Sequence, residues 1–245
     1  MVNQYFDKII ELLSVLKEQE KENLQIAAQK IAECIQLDGI IHVFGCGHSH
    51  MLAEEVFYRS GGLVPINPIL IEDLMLHKGA VRSSKIERQN DFADKFMTHT
   101  DIKAKDVVIV VSNSGRNPVP VDVAQYAKDK GSFVIGITSS AYANSQPSRH
   151  SQGHYLLDIV DLVIDNHIEV GDALIHHQNS GVSYGSGSTV IGTTIINNII
   201  VEAVNIMIEN DSNPPLFKSG NIDGTDEHNK QLIKRYKDRI PLLEK

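Results

Sequence analysis

The sequence contains no tryptophan and only two cysteines, Cys34 and Cys46. Two cysteines are too few for a disulfide framework, and no C-x-x-C pair suggests a structural zinc site. An excess of positive charge is also missing, because 31 acidic residues outnumber 23 basic ones and give a formal net charge of −8. Such a chain does not attract the phosphate backbone of nucleic acids, so we expect no nucleic-acid partner.

Long hydrophobic runs are absent as well. A membrane-spanning helix needs about 20 predominantly apolar residues. The most apolar stretch, residues 189–208, is interrupted by a glycine, three asparagines and a glutamate. The first residues, MVNQYFDKIIELL, are charged within their first turns, unlike the apolar part of a signal peptide. We therefore expect a cytoplasmic protein that has no membrane partner.

Short apolar, β-branched runs alternate with helical stretches along the chain, which is typical of a parallel α/β sheet. The five predicted strands are 40–44, 63–67, 107–111, 133–138 and 162–165. The predicted helices that separate and follow them lie at about 50–60, 87–98, 119–130, 188–209 and 226–238.

Residues 3–37 contain neither glycine nor proline and carry apolar residues at helical spacing. The charged stretch KEQEKE at 17–22 indicates either one long helix or two helices with a break there. We expect an α/β fold with a five-stranded, doubly wound parallel sheet of the flavodoxin type, in the strand order 2-1-3-4-5. Residues 1–245 would form one domain with its core at about 25–210, to which the N-terminal helical segment and the C-terminal helix are additions.

The first strand is followed by GCGHSH, residues 45–50, which we call the first loop. Glycines let the backbone turn sharply and approach a ligand closely, and free N–H groups at a helix N-terminus suit a phosphate. Ser49 is the candidate N-cap of the following helix. A tight strand-to-helix turn without a ligand is the alternative. His50 stands where G-x-G-x-x-G has its third glycine, which argues against a dinucleotide.

The third strand is followed by SNSGRN, residues 112–117, which we call the second loop. Asn117 is a good N-cap, and Pro118 then takes the first helical position, where proline is favoured. The hydroxyls of Ser112 and Ser114 and the amide of Asn113 are neutral donors for an anion. In the order 2-1-3-4-5 the first and third strands are neighbours, so both loops border one crevice. A capped helix with no ligand is the alternative.

The loop sequences GCGHS and SNSGRN resemble those of the sugar isomerase (SIS) domain superfamily, the phosphosugar-binding domains, over about residues 25–210. The stretch SNSGRNPVPV is similar to the matching loop of N-acetylmuramic acid 6-phosphate etherases, whereas the size and the long N-terminal helix are similar to phosphoheptose isomerases. The whole chain most resembles a bacterial group with this domain to which the family assigns no reaction.

The resemblance implies that the loops after the first and third strands bind a sugar phosphate. The predicted binding residues are Gly45, Gly47, His48, Ser49, Ser112, Asn113, Ser114, Gly115, Asn117 and Ser139. A small phosphosugar is therefore the expected partner. These neutral donors would hold it although the chain is acidic.

Isomerisation of a sugar phosphate needs a base that moves a proton between adjacent carbons, and usually an acid. In the resembling phosphoheptose isomerases these are a glutamate late in the helix after the first loop and a histidine in the long late helix. Here Arg59 stands at the place of the glutamate, and residues 188–209 contain no histidine. Glu55, Glu169 and His176 are the remaining candidates for a catalytic role.

His48 and His50 form one loose pair, which does not define a coordination sphere, so we expect no metal and no cofactor. Cys46 has either a lowered thiol pKa at a helix start or the role of a small residue in a tight turn. Three functions stay open: a sugar-phosphate isomerase, a lyase or etherase acting on an amino-sugar phosphate, and a non-catalytic phosphosugar sensor.

Two further features concern surfaces. A second apolar edge on the N-terminal helix, formed by Val2, Phe6, Leu12 and Val15, predicts a homodimer or homotetramer. Members of the resembling superfamily usually pair. The polar run at 183–188 has the composition of a lid that closes over a ligand.

Overall fold

Five parallel strands form the central sheet of a computed structural model that describes residues 3–244. Their order is β2-β1-β3-β4-β5, which confirms the predicted doubly wound topology. The strands are β1 Ile41–Gly45, β2 Ile66–Ile69, β3 Val107–Val111, β4 Phe133–Thr138 and β5 Leu162–Asp165. The predicted second strand begins too early, because Leu63 makes an antiparallel bridge to Leu216 before β2 starts.

The described residues also form ten α-helices and a short antiparallel hairpin. The helices are α1 Gln4–Gln19, α2 Lys21–Gln36, α3 Met51–Val56, α4 Ala80–Ile86, α5 Asp94–Met97, α6 Pro118–Asp129, α7 Ser140–Ala143, α8 Leu156–Ile159, α9 Ser188–Glu209 and α10 Asp226–Tyr236. The hairpin consists of β6 Ile175–His177 and β7 Val182–Tyr184.

The helices cover both faces of the sheet. Alternate strand residues point to opposite sides, so Val107 and Ile109 pack with α1, α2, α3 and α9, whereas Val108 and Val110 pack with α4, α5, α6 and α8. The sheet is thereby buried on both faces, which explains why its strands are apolar without interruption. Because α3 and α6 leave β1 and β3 on opposite faces, the crevice between them opens at the carboxyl ends of these strands.

The N-terminal segment is two helices rather than one. The break falls at Glu20, within the predicted charged stretch, and the buried Glu20 carboxylate accepts a hydrogen bond from Asn23 Nδ2 at 2.8 Å. The same carboxylate lies 3.2 Å from His167 Nε2 in the loop after β5. On α1, Phe6 and Ile10 are 66% and 61% exposed, whereas Val2 lies outside the described residues.

Helix α9 has the predicted bounds, and its 22 residues are long and apolar enough to cross a membrane by length and composition. In the fold its apolar side packs against α2 and α3, with Ile195, Ile196 and Ile199 fully buried. This is the arrangement of a core helix.

Two predicted helices are wrong in their bounds. The helix expected at 87–98 is absent, because α4 ends at Ile86 and the short α5 spans only Asp94–Met97. The helix expected at 50–60 ends at Val56, since Phe57 is already extended and Tyr58 has a φ of +50°. Positive φ angles in residues other than glycine interrupt a helix, and no local sequence pattern signals them.

The C-terminal segment covers the amino ends of the strands. Ile40, Val64, Phe217, Tyr236 and Ile240 form a separate small core there. This edge is opposite to the crevice, so the C-terminal helix supports the sheet and does not contribute to the candidate site.

Candidate functional site

The first loop turns tightly at the end of β1. A Cβ atom on Gly45 would lie 2.5 Å from the carbonyl carbon of Ser49, so only glycine fits there. A single 3₁₀ turn, Gly47–His50, then leads into α3. The prediction of Ser49 as the N-cap is wrong, because His50 holds that position and no side chain caps the helix. The half-buried Ser49 hydroxyl makes no hydrogen bond to residues 3–244 and is available to a ligand.

The second loop is anchored to the neighbouring elements through its backbone. Gly115 has a φ of +58°, and a Cβ there would lie 2.7 Å from Thr138 Oγ1. Its N–H donates to Ser112 Oγ at 3.2 Å, and its carbonyl accepts from Leu156 N at 2.7 Å. Buried Ser112 therefore supports the turn. Within the described chain the half-buried Ser114 hydroxyl forms no hydrogen bond, so it too can bind a ligand.

Asn113 ties the second loop to the ends of β4 and β5. Its carbonyl accepts from Ser139 N at 3.0 Å, and its Oδ1 accepts from Asn166 Nδ2 at 2.8 Å. Ser139 is buried and its hydroxyl donates to the carbonyl of Ile168. Ser139, a predicted binding residue, therefore holds the second loop in place through hydrogen bonds. Asn166 has the same role, although the sequence pattern did not identify it.

The two loops meet at the crevice as the topology requires. Ser49, Asn113 and Asn166 line a small cavity there, which Ser188 and Thr189 close from the start of α9. Its volume of about 10 Å³ is at the lower limit for one water molecule. The cavity is therefore too small to enclose a ligand of the size of a sugar.

The start of α9 is fixed by Asp172. Its Oδ1 accepts from Gly187 N at 3.0 Å and from Ser188 N at 2.9 Å. The run at 183–188 begins within β7 and ends at this cap, so it is hydrogen-bonded at both ends. The lid function of this run stays a prediction.

Asn117 occupies the N-cap position of α6, with Pro118 next to it as predicted, but its side chain does not cap the helix. Instead its Nδ2 donates to Glu87 Oε1 at 2.9 Å and its Oδ1 accepts from Arg149 Nη1 at 2.9 Å. Burial raises the pKa of Glu87, and the hydrogen bond from Asn117 and the charges of Arg88 and Arg149 oppose this only in part.

The other polar groups of the first loop have simple environments. His48 is exposed, whereas His50 donates to the carbonyl of Gly47 and lies 3.8 Å from Glu54. Burial raises the thiol pKa of Cys46 well above its ordinary value, so the alternative of a small residue in a tight turn is correct. No three His, Cys, Asp or Glu side chains between residues 3 and 244 are placed to hold a metal ion.

Of the catalytic candidates, Glu55 lies on α3, the helix that the first loop leads into. It forms an ion pair with Arg59 at 3.3 Å and accepts from Asn197 Nδ2 at 3.4 Å. These three side chains line a cavity of about 310 Å³ between α3 and α9. Leu52 and Gly192, which pack closely together where α3 meets α9, lie between this cavity and the small cavity at the loops.

The other two candidates do not lie at the crevice. Glu169 is exposed in the segment after β5, and His176 is exposed on β6, where its ring bonds to Ser183 Oγ at 3.1 Å. The fold therefore places the first and second loops at one crevice, but it does not bring the three candidate catalytic side chains to one place.

Relatives with a high sequence identity cover the whole length. The UPF0309 protein of Halalkalibacterium halodurans is 58% identical over 99% of this chain and 97% of its own. The UPF0309 protein of Listeria innocua is 51% identical over 99% of this chain and 98% of its own.

Solved structures share the fold at low sequence identity. The phosphoheptose isomerase of Neisseria gonorrhoeae is similar with a TM-score of 0.52 and 17% identity, covering 84% of this chain and 96% of its own. The phosphoheptose isomerase of Francisella tularensis has a TM-score of 0.51 and 15% sequence identity, and the match covers 85% of this chain and 96% of its own.

The family model described as the SIS domain matches residues 4–139, which include α1, the first three strands and both loops. This match covers more than half of the chain and agrees with the sheet order and with the positions of the loops. The chain therefore belongs to the SIS domain family.

Proposed function

We propose that this protein binds a phosphorylated sugar at the crevice between the first and second loops and isomerises it, and that residues 1–245 act as one phosphosugar-binding domain. The observation that carries the proposal is that the hydroxyls of Ser49 and Ser114 have no hydrogen-bond partner within residues 3–244. They lie on two loops that meet at the carboxyl ends of the neighbouring strands β1 and β3. The phosphoheptose isomerases that share the fold support a sugar phosphate as the ligand.

The phosphate would be held mainly by neutral donors. Ser49 and Ser114 would donate through their hydroxyls. Gly45, Gly47 and Gly115 have no side chains, which would let the anion approach the backbone N–H groups closely. The N-terminus of α6 adds a partial positive charge without a formal one. This arrangement removes the apparent conflict between a net charge of −8 and an anionic ligand.

For the isomerisation, Glu55 is our preferred base. It lies on α3, the helix that follows the first loop, and lines the cavity of about 310 Å³ between α3 and α9. Its ion pair with Arg59 and its contact with Asn197 hold the carboxylate in this cavity. Glu169 and His176 would need a movement of their segments, or a second copy of the chain, to reach the same sugar.

A non-catalytic phosphosugar sensor is the second candidate function. It is favoured by the separation of Glu169 and His176 from the crevice, since a binding protein needs only the phosphate loops. A lyase or etherase acting on an amino-sugar phosphate would use the same loops with a different chemical step.

The binding proposal is tested by thermal unfolding with sugar 6-phosphates, heptose 7-phosphate and N-acetylmuramic acid 6-phosphate. A ligand at 100 times its dissociation constant stabilises the protein by about 2.7 kcal/mol, which raises Tm by about 5–10 °C in a chain of this size. Ser114→Ala should weaken binding by about 1.5–3 kcal/mol, about 10- to 150-fold. Ser84→Ala, an exposed serine on α4, is the matched control and should have no effect.

The enzyme and the sensor are separated by proton exchange. With a ligand that binds tightly, an isomerase incorporates deuterium from the solvent into the sugar, and Glu55→Gln abolishes the incorporation while binding persists. Tight binding without exchange or turnover would favour the sensor. If no phosphorylated sugar raises Tm, or if Ser114→Ala leaves the affinity unchanged, the binding proposal is wrong.

A further inference from the structure

The seven arginines of the chain fall into two groups. Four of them pair with a carboxylate: Arg59 with Glu55, Arg82 with Asp73, Arg235 with Asp38, and Arg239 with Asp106. The other three, Arg88, Arg116 and Arg149, form no ion pair with any carboxylate of residues 3–244. We call these three residues the arginine cluster.

Three distant segments bring the arginine cluster to the start of α6. Arg116 belongs to the second loop, and its carbonyl accepts from Arg149 N at 2.9 Å. The Arg149 guanidinium donates to Asn117 at the N-cap position of α6. Arg88 follows Glu87, whose carbonyl accepts from Val119 N at 3.3 Å in the first turn of the same helix.

The cluster is short of negative charge. Partial burial and the neighbouring charges of Arg116 and Arg88 lower the pKa of Arg149, and the charge of Glu87 opposes this only in part, so the three cations lie close together beside one carboxylate. The Nε atom of Arg116 is buried and has no hydrogen-bond partner among residues 3–244. Glu87 is the nearest acid, and its Oε1 already accepts from Asn117. Three neighbouring cations beside one carboxylate leave an excess of positive charge, and buried N–H groups normally have a hydrogen-bond partner.

A bound anion beside these side chains would supply the missing negative charge. Guanidinium groups present planar, paired donors that match a carboxylate or a phosphate. The positive end of the α6 dipole, a helix of 12 residues, acts in the same direction. The arginine cluster lies at the C-terminal end of the second loop, where Arg149 contacts Asn117. Asn113, near the N-terminal end of this loop, lines the small cavity at the crevice together with Ser49.

We propose that Arg88, Arg116 and Arg149 bind a second anionic group of the ligand, a carboxylate or a further phosphate, so that the substrate class is a doubly anionic phosphorylated sugar. This inference rests on the proposed function, in which Ser49 and Ser114 hold the first phosphate. The neutral loops supply a site for one phosphate, and the arginine cluster adds the charge that a second anionic group requires.

The test is isothermal titration of the wild-type protein with three probes. Glucose 6-phosphate carries one anionic group, 6-phosphogluconate adds a carboxylate, and fructose 1,6-bisphosphate adds a phosphate. At least one doubly anionic probe should bind at least tenfold more tightly than glucose 6-phosphate, which corresponds to about 1.4 kcal/mol. Equal affinities for all three probes would overturn the inference.

Variants then assign the preference to the cluster. Arg116→Gln combined with Arg149→Gln should reduce the tenfold preference to within about twofold, because it should weaken the doubly anionic probes far more than glucose 6-phosphate. Arg88→Gln alters an exposed side chain, so it keeps the fold even if the double variant does not, and it should reduce the preference about threefold. Arg82→Gln, whose partner Asp73 lies outside the cluster, should behave as wild type.

The two proposals fail in different ways. If the arginine variants weaken glucose 6-phosphate as much as the doubly anionic probes, the arginines hold the first phosphate and the inference is wrong, while phosphosugar binding stands. If Ser114→Ala leaves every affinity unchanged, or if none of the three probes binds, the proposed function is wrong and the inference falls with it.

Discussion

Asp106 connects the C-terminal segment to the sheet, and its removal has a calculable effect. The buried carboxylate accepts hydrogen bonds from the backbone N–H of Ile40 at 2.8 Å and of Lys103 at 2.7 Å. Arg239 donates to it twice, at 3.0 and 2.7 Å, and His42 Nε2 lies at 3.3 Å. Burial alone would raise the pKa of Asp106, but these hydrogen bonds outweigh it and hold the pKa well below its usual range.

We expect Asp106→Ala to destabilise the protein strongly. Removing one partner of a buried ion pair costs about 3–5 kcal/mol, because the other charge is left without its partner. In a chain of this size each 1 kcal/mol shifts Tm by about 2–4 °C, so the expected fall is about 6–20 °C. Because the folded-state pKa is lowered, this stabilisation is complete above pH 5 and is lost only as the pH falls through that pKa.

Thermal unfolding followed by circular dichroism measures the effect between pH 5 and pH 8. Asp101→Ala is the matched control, since Asp101 accepts from the Nε atom of the same Arg239 at 3.0 Å but is 56% exposed. An exposed ion pair contributes at most about 1 kcal/mol to the stability of the fold, so the Tm of Asp101→Ala should fall by less than about 4 °C. If the two variants melt within about 2 °C of each other, the reasoning about the buried carboxylate is wrong.

Two further predictions concern the second loop and the N-terminal helix. Burial raises the pKa of Glu87, so the stability that its neutral form provides is complete at low pH and is lost as the pH rises through the folded-state pKa. Glu87→Gln should therefore raise Tm at pH 8 and leave it unchanged at pH 4, and equal shifts at both values would contradict this. We expect the exposed Phe6 and Ile10 of α1 to contact a second copy of the chain, so light scattering should give two or four times 27.1 kDa. Phe6→Ser with Ile10→Ser should lower that mass and preserve the circular dichroism, whereas a wild-type mass of 27.1 kDa would refute an oligomer.

The sheet could be predicted because its strands carry their own signal. The runs at 107–111, 133–138 and 162–165 are apolar since both faces of the sheet are covered, and all three strands have the predicted bounds. The sequence also predicted helix α9 with its observed bounds, because the helical pattern there is long. The errors at 50–60 and 87–98 come from residues such as Tyr58 and Asp91, whose positive φ angles depend on tertiary contacts.

The candidate site was predictable only in part for a similar reason. Residues at the ends of neighbouring parallel strands share one edge, so the first and second loops could be placed together from the sequence. Asn166, Glu87 and Arg149 reach the second loop from segments that are about 30 to 50 residues away along the chain, and no local pattern marks them. Asn117 shows the limit most clearly, because its side chain binds Glu87 and Arg149 and does not cap α6.

A crystal structure with a bound sugar phosphate would test the central claim most directly. The account predicts a phosphate between the first and second loops, within hydrogen-bond distance of the Ser49 and Ser114 hydroxyls. A phosphate bound away from both serines, for example beside Arg59 in the cavity between α3 and α9, would contradict it.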